Sequence, residues 1–258
     1  TMDNKNVMKR DLMLAGIPTA SFMVWQPGRS SLIPGRDIRL KNAFGTYDGP
    51  FIVKPISGRA SRYVVAVDHV SGLTATAEGV YSATENPVLI ETYLPGREFC
   101  VAVCGEVIAR QGELDRLGHP FAFAAVERVL DPDERVFTSM DHRPITTDRI
   151  RCLDPMAEVD LYGQLVDIGR QVYREFEIET LIRLDVRAND QGDLYVLEAN
   201  PKPDLAAPVE NRTSIVCAGL ADEGMGYDDL ILALIADRID VLFSQRRAMV
   251  THLDALLS

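Results

Sequence analysis

Leu181 to Asn200 reads LIRLDVRANDQGDLYVLEAN, and this stretch decides the fold. Arg183, Asp185 and Arg187 alternate with Ile182, Leu184 and Val186, the period-2 pattern of a strand with one wet and one buried face. Asn189, Asp190, Gln191 and Gly192 supply turn chemistry, and Leu194 to Leu197 returns as a second strand. Residues two apart on a strand share a face, so Asp185 can lie near Glu198 and Asn200. Two carboxylates and an amide oxygen form a hard, all-oxygen donor set suited to Mg²⁺, which takes few protein ligands and completes its shell with water and phosphate. The residues by themselves leave open an ordinary amphipathic hairpin with its charges in water.

The chain of 258 residues is 47% apolar and 25% charged, enough for a sizeable core in one or two domains. No apolar run approaches the ~20 residues that span a bilayer, and no signal peptide is visible, so a cytoplasmic protein away from membranes is expected. Cys100, Cys104, Cys152 and Cys217 form no CxxC pair and read as reduced thiols. A net charge of −11 argues against nucleic acid as a partner. Only five lysines occur, Lys5, Lys9, Lys41, Lys54 and Lys202, so their positions are informative.

Met8, Leu12 and Ala15 recur at helical spacing behind N-cap candidates at Asp3 to Asn6, and residues 20–25 read as a strand. Residues 26–49 are polar, with room for one short helix. Phe51 to Pro55 is an apolar strand ending on Lys54. Ile56 to Arg62 is a small, basic turn, and residues 63–67 return as a strand. This suggests a lid whose backbone N–H groups and arginines meet phosphate, or simply a surface hairpin with a loose tip. Residues 72–84 suit a helix and 88–94 a strand. Glu98 to Val103 and Glu106 to Arg110 read as a hairpin across Cys104 and Gly105. Residues 121–130 read as a strand and 131–154 as irregular, with His142 an isolated loop histidine. Leu161, Leu165, Ile168, Val172 and Phe176 mark an amphipathic helix, and helices are expected at 215–221 and 227–257.

In this order the pieces resemble the ATP-grasp superfamily, most closely its D-alanine–D-alanine ligase-like branch. The resemblance rests on Met2-Asp3-Asn4-Lys5…Lys9…Gly16-Ile17-Pro18-Thr19, on Val53-Lys54-Pro55, and on Glu91-Thr92-Tyr93-Leu94-Pro95-Gly96-Arg97-Glu98-Phe99. It continues through Arg183…Asp185…Gly192…Leu197-Glu198…Asn200 and Ser214…Gly226-Tyr227. It implies an α+β ATP-grasp fold of two subdomains, residues 1–91 as a lid and 92–258 as the larger part, each with an antiparallel sheet and helices, holding nucleotide between them. Residue by residue it implies Lys9 and Lys54 on the phosphates, with Ser57 and Ser61 in the lid loop. It puts Glu91 on the adenine amino group, the backbone of Thr92 and Leu94 facing adenine with Leu197 also in the nucleotide site, and Glu98 on the ribose. Asp185, Glu198 and Asn200 would hold two Mg²⁺ ions, with Mn²⁺ able to substitute. Arg183 would hold a substrate carboxylate and, with Lys54, serve the chemistry.

The implied reaction activates a small-molecule carboxylate with ATP and joins it to an amine. The alternatives are an ATP-grasp phosphotransferase and a nucleotide-binding domain without ligase activity of its own. The family carries a separate N-terminal domain that this sequence lacks, so a fragment or a form that has lost that domain is expected; among partners, a homodimer is the other expectation. The lid loop lacks the family's ending. Lys202 and Asp204 replace its small Pro-Gly turn, and Thr138 to Arg143 lacks its Lys-Tyr pair. These departures put D-alanine dimerisation itself in doubt.

Overall fold

The computed structural model describes residues 4–28, 31–58, 61–131, 134–136, 147–209 and 213–245. In chain order the elements are α1 (Lys5–Leu14), β1 (Phe22–Trp25), α2 (Ile38–Phe44), β2 (Phe51–Pro55), β3 (Val65–Val67), α3 (Leu73–Thr84), β4 (Val88–Thr92), β5 (Glu98–Cys104), β6 (Val107–Arg110) and β7 (Glu113–Arg116). They continue as β8 (Phe121–Arg128), β9 (Ile150–Cys152), α4 (Val159–Glu175), β10 (Ile182–Ala188), β11 (Leu194–Asn200), α5 (Ile215–Ala218) and α6 (Tyr227–Gln245). Among the described residues no helix is long and apolar enough to cross a membrane.

The chain forms two compact units that interleave along the sequence. The first holds 1–99, 127–151 and 184–200, and the second holds 100–126, 152–183 and 201–258. A five-stranded sheet is ordered β11-β10-β5-β8-β9.

In the first unit β1-β4-β2-β3 form a four-stranded antiparallel sheet. Met23, Trp25, Phe51, Val53, Val88 and Ile90 point to one face and build the core with Leu73, Ala77 and Val80 of α3. The period of two then sends Ile52, Lys54, Leu89 and Glu91 to the other face. The register pairs Ile52 with Glu91 and Lys54 with Leu89, so Lys54 and Glu91 are diagonal neighbours across the strands. Asn4 caps α1 by accepting from the N–H groups of Asn6 and Val7. The buried face of that helix is Lys5, Met8, Lys9 and Leu12. It follows helical spacing with lysine at two of its four positions.

In the second unit α4 buries Leu165, Val166, Gly169, Val172 and Tyr173; of the expected stripe Leu165 and Val172 are buried, while Leu161, Ile168 and Phe176 are half-buried. The expected hairpin across Cys104 and Gly105 is not what forms: β6 pairs with β7 instead. A Cβ on Gly105 would lie 2.0 Å from the Asp237 carboxylate of α6. Asp237 Oδ1 accepts the N–H groups of Glu106 and Val107 at 3.1 and 3.5 Å. These groups are therefore drawn to α6, and the chain turns back through Gln111 and Gly112. Both have positive φ, 55° and 83°, as a two-residue hairpin turn requires. The structure also adds β9 within the stretch read as irregular, a strand too short and polar to show periodicity. The final helix is described only as far as Gln245.

Candidate active site

The first cluster lies on the face of the four-stranded sheet opposite α3. Glu91, 2% exposed, receives Lys9 Nζ on Oε2 at 3.0 Å and Lys54 Nζ on Oε1. Burial on its own would push the Glu91 carboxyl up. The charges of Lys54 and Lys9, and their hydrogen bonds, overcome this and bring it down to about 2. Lys9 is wholly buried. It donates to Thr19 Oγ1 at 2.7 Å and Ala20 O at 3.5 Å and sits 5.4 Å from the centre of the Phe22 ring. Burial, partly opposed by Glu91, lowers its pKa.

Lys9, expected on phosphate, is placed here with Glu91, Thr19 and Ala20 as its partners. One turn earlier, Lys5 donates to Gly58 O of the loop after β2 at 3.0 Å and pairs with Glu198 at 3.3 Å. Lys5 had no role of its own in the sequence reading, although its i,i+4 spacing from Lys9 puts both on one helix face.

The second cluster gathers strand ends around the loop that follows β4. Arg128, at the end of β8, donates from Nη1 to Glu98 Oε1 at 2.8 Å and to Asp185 Oδ2 at 3.1 Å. Arg187 on β10 donates to Glu98 Oε2 at 3.2 Å. Both arginines are buried. The face of β10 expected to be wet is therefore closed at Arg187. Gly96 is required here: a Cβ would meet the carbonyl oxygens of Ala188 and Asn189 at 2.7 and 2.5 Å. Neither arginine stood out in the sequence, because arginine is the chain's ordinary cation.

The third group is the expected metal set. Asp185 lies on β10, and Glu198 and Asn200 on β11, adjacent strands of the sheet. Along β11, Leu194, Val196 and Ala199 are buried while Leu197 and Glu198 are consecutively half-buried. The alternation therefore slips by one residue just before Glu198. The donors are all oxygen, and the carboxylate side chains retain 13% and 33% exposure. Among the described residues no three His, Cys, Asp or Glu side chains make a ready cage. Such a donor set fits Mg²⁺ or Mn²⁺ when phosphate and water complete the shell, and not tetrahedral zinc.

The other expected residues are placed as follows. Ser57 is exposed and Ser61 half-buried, Leu94 is buried, and Thr92 gives its N–H to Ser21 O at 3.0 Å. Arg183 is half-buried on β10, two residues before Asp185, and falls in the second unit. Lys202 and Asp204 are exposed, with Asp204 capping the N–H of Ala206 at 2.9 Å. His142 and the rest of Thr138 to Arg143 lie outside the described residues.

The antiparallel sheets and helices, with acids and lysines converging on one unit, define an ATP-grasp fold. A family model described as the D-ala D-ala ligase C-terminus matches residues 12–236, and the chain belongs to that family. It is 27% identical over 237 residues to a D-alanine–D-alanine ligase of Gloeobacter violaceus, covering 92% of this chain and 69% of the relative. It is 22% identical to one of Lacticaseibacillus casei, covering 92% of this chain and 57% of that protein. Among solved structures, the D-alanine–D-alanine ligase of Coxiella burnetii superposes with a TM-score of 0.69 at 18% identity, over all of this chain and 62% of that one. The Bacillus anthracis ligase complexed with ATP superposes with a TM-score of 0.67 at 18% identity, over 95% of this chain and 68% of that one.

Proposed function

We propose that the chain is the nucleotide-binding part of an ATP-dependent carboxylate–amine ligase acting on small, amino-acid-like substrates. One observation carries this reading. In a chain of net charge −11, four buried or half-buried carboxylates, Glu91, Glu98, Asp185 and Glu198, each hold an internal cation. The cations are Lys5, Lys9, Lys54, Arg128 and Arg187, one more than the acids they neutralise. Such a locally positive, desolvated cluster suits a polyphosphate that can take over some of those cations.

In this reading Lys5 and Lys54 meet the phosphates, with Ser57 and Ser61 in the loop above them. Lys9 keeps Glu91 ionised for the adenine amino group, and residues 92–94 and Leu197 border the base. Glu98 accepts from the sugar hydroxyls. Asp185, Glu198 and Asn200 would hold Mg²⁺ or Mn²⁺, which neutralises phosphate charge when bound. Arg183 holds the acid's carboxylate with its planar fork. The carboxylate oxygen attacks the γ-phosphorus and ADP leaves. The amine nitrogen then attacks the acyl carbon, loses a proton and displaces phosphate, giving an amide. Catalysis is then mainly positioning and electrostatics, the work this set of groups can do. A cytoplasmic location belongs to the same reading.

The test is incubation with ATP, Mg²⁺ and mixtures of small amino acids, following ADP and searching for amide by mass spectrometry. We expect ADP and amide in equal amounts. ADP without amide would turn the reading towards a phosphotransferase, and AMP as product would overturn it.

A further inference from the structure

We infer that Arg187 is the residue that makes the site selective for the nucleotide's sugar, by locking Glu98 and the 93–96 hinge into one rigid piece. The inference rests on the proposed reading in which Glu98 accepts from ribose.

A carboxylate has about four acceptor directions. One on Oε1 is taken by Arg128 and one on Oε2 by Arg187. Each oxygen therefore keeps a lone pair for a sugar hydroxyl, provided the carboxylate does not rotate. Arg128 reaches only Oε1, its Nη1 donating to Asp185 as well at 3.1 Å, so fixing the carboxylate plane takes the second donor on Oε2. Arg187 is not shared with any other acid described here, and it is fixed on four sides. Its Nε donates to Gly96 O at 3.3 Å, Nη1 also to Arg135 O at 2.8 Å, and Nη2 to Tyr93 Oη at 3.1 Å. Its guanidinium carbon lies 4.9 Å from the centre of the Tyr93 ring. Only a planar fork reaches a glutamate, two backbone carbonyls and a tyrosine together; an ammonium on a flexible stem cannot. With only 6% of its surface exposed, the arginine has little water to substitute for a lost partner.

Arg187 is thus a positioning residue. It touches the segment that would carry the base and the side chain that would carry the sugar. Its loss would affect recognition of the hydroxyls more than recognition of the phosphates, which Lys5 and Lys54 serve from other elements.

The test is calorimetric affinity for ATP, 2′-deoxyATP and 3′-deoxyATP in Mg²⁺, for the wild-type chain and for Arg187→Lys, Arg187→Met, Tyr93→Phe and Glu98→Gln. We expect the wild type to prefer ATP over at least one deoxynucleotide by about tenfold, the value of one charge-assisted hydrogen bond. In Arg187→Lys and Arg187→Met that ratio should fall towards one. Tyr93→Phe should lower the ratio about twofold to threefold, by freeing one arm of the guanidinium. Adding Arg187→Met to Glu98→Gln should cost nothing further in the ratio. A wild-type ratio retained in both Arg187→Lys and Tyr93→Phe overturns the inference, and these two mild variants decide it even where Arg187→Met does not fold. A wild-type chain that binds no nucleotide overturns the nucleotide reading itself. One that binds all three equally removes Glu98 from the sugar and the inference with it.

Discussion

Two buried carboxylates, one in each unit, are held in opposite ways. In the first unit both Glu91 oxygens rest on lysine ammonium groups, and its carboxyl is brought down to about 2. In the second unit Asp237 lies under the β6–β7 hairpin and accepts backbone N–H groups of Glu106 and Val107. Burial pushes its carboxyl up, and the hydrogen bonds offset only part of this. Cations that neutralise an acid can be transferred to a ligand. Backbone N–H groups that anchor a hairpin cannot, because the chain would have to unfold to release them. On the proposed reading, a cluster of side-chain ion pairs marks a site of exchange, whereas a carboxylate on backbone amides marks a structural joint.

The largest effect should come from the exchange side. Glu198→Gln keeps the shape of a side chain that is one-third exposed and removes its charge. Phosphoryl transfer should fall by about a thousandfold, as when a preorganised charge is lost at a reacting centre. Circular dichroism and the melting temperature should stay at wild-type values. Full activity would reduce Glu198 to a surface partner of Lys5.

Glu91→Gln should act first on stability. It leaves Lys9, wholly buried, without its counter-charge, a loss of roughly 3–5 kcal/mol. The pH dependence has a definite sign. The folded carboxyl lies near 2, below its ordinary 4.5. Its contribution is therefore complete above about 4.5 and is lost as pH falls towards about 2. Glutamine does not titrate. The stability gap between wild type and variant, measured by urea unfolding, should narrow across that window. A constant gap would mean that the Lys9–Glu91–Lys54 cluster is not charge-coupled.

The same contrast explains what the sequence disclosed. Strand alternation located the β10–β11 hairpin, and helical spacing located α4, because both depend on local periodicity. Glu91, Glu98, Asp185 and Glu198 were singled out from the sequence, and the structure pairs each with a cation. Their cations were not: Arg128 and Arg187 are ordinary arginines until strands far apart in sequence bring them to Glu98. The β5–β6 hairpin was misread for a related reason. Asp237 is 132 positions beyond Gly105, and nothing local in Cys104-Gly105 shows that its carboxylate will claim the next two N–H groups. Lys5 was within reach of sequence reasoning, one helical turn from Lys9.

Arg183→Lys is expected to be milder. The charge stays, but the fork that would grip a carboxylate through two parallel N–H groups is lost. Turnover should drop by about tenfold to a hundredfold while ATP affinity by calorimetry is unchanged, since the lost contact is with the acid substrate. An equal loss of ATP affinity would place Arg183 in the nucleotide site instead.

Asp237→Asn should have the smallest effect and test the comparison most directly. The amide oxygen can accept the same N–H groups, so the anchor for Glu106 and Val107 remains. The folded carboxyl is raised above its ordinary 3.8, so the folded form binds its proton more tightly than the unfolded chain does. That contribution favours folding below about 3.8 and is lost as pH rises through the raised value. Near neutrality the wild type therefore carries a desolvated charge that asparagine lacks. The variant should match or slightly exceed wild-type stability at pH 8, within about 1 kcal/mol. Asp237→Ala removes the acceptor and should cost about 1–3 kcal/mol, because two backbone N–H groups lose their partner. Neither change should alter the affinity for ATP. If Asp237→Asn instead destabilised the fold as much as Glu91→Gln, the ionised carboxylate would be essential in the second unit too, and the distinction between exchangeable cations and backbone anchors would fail.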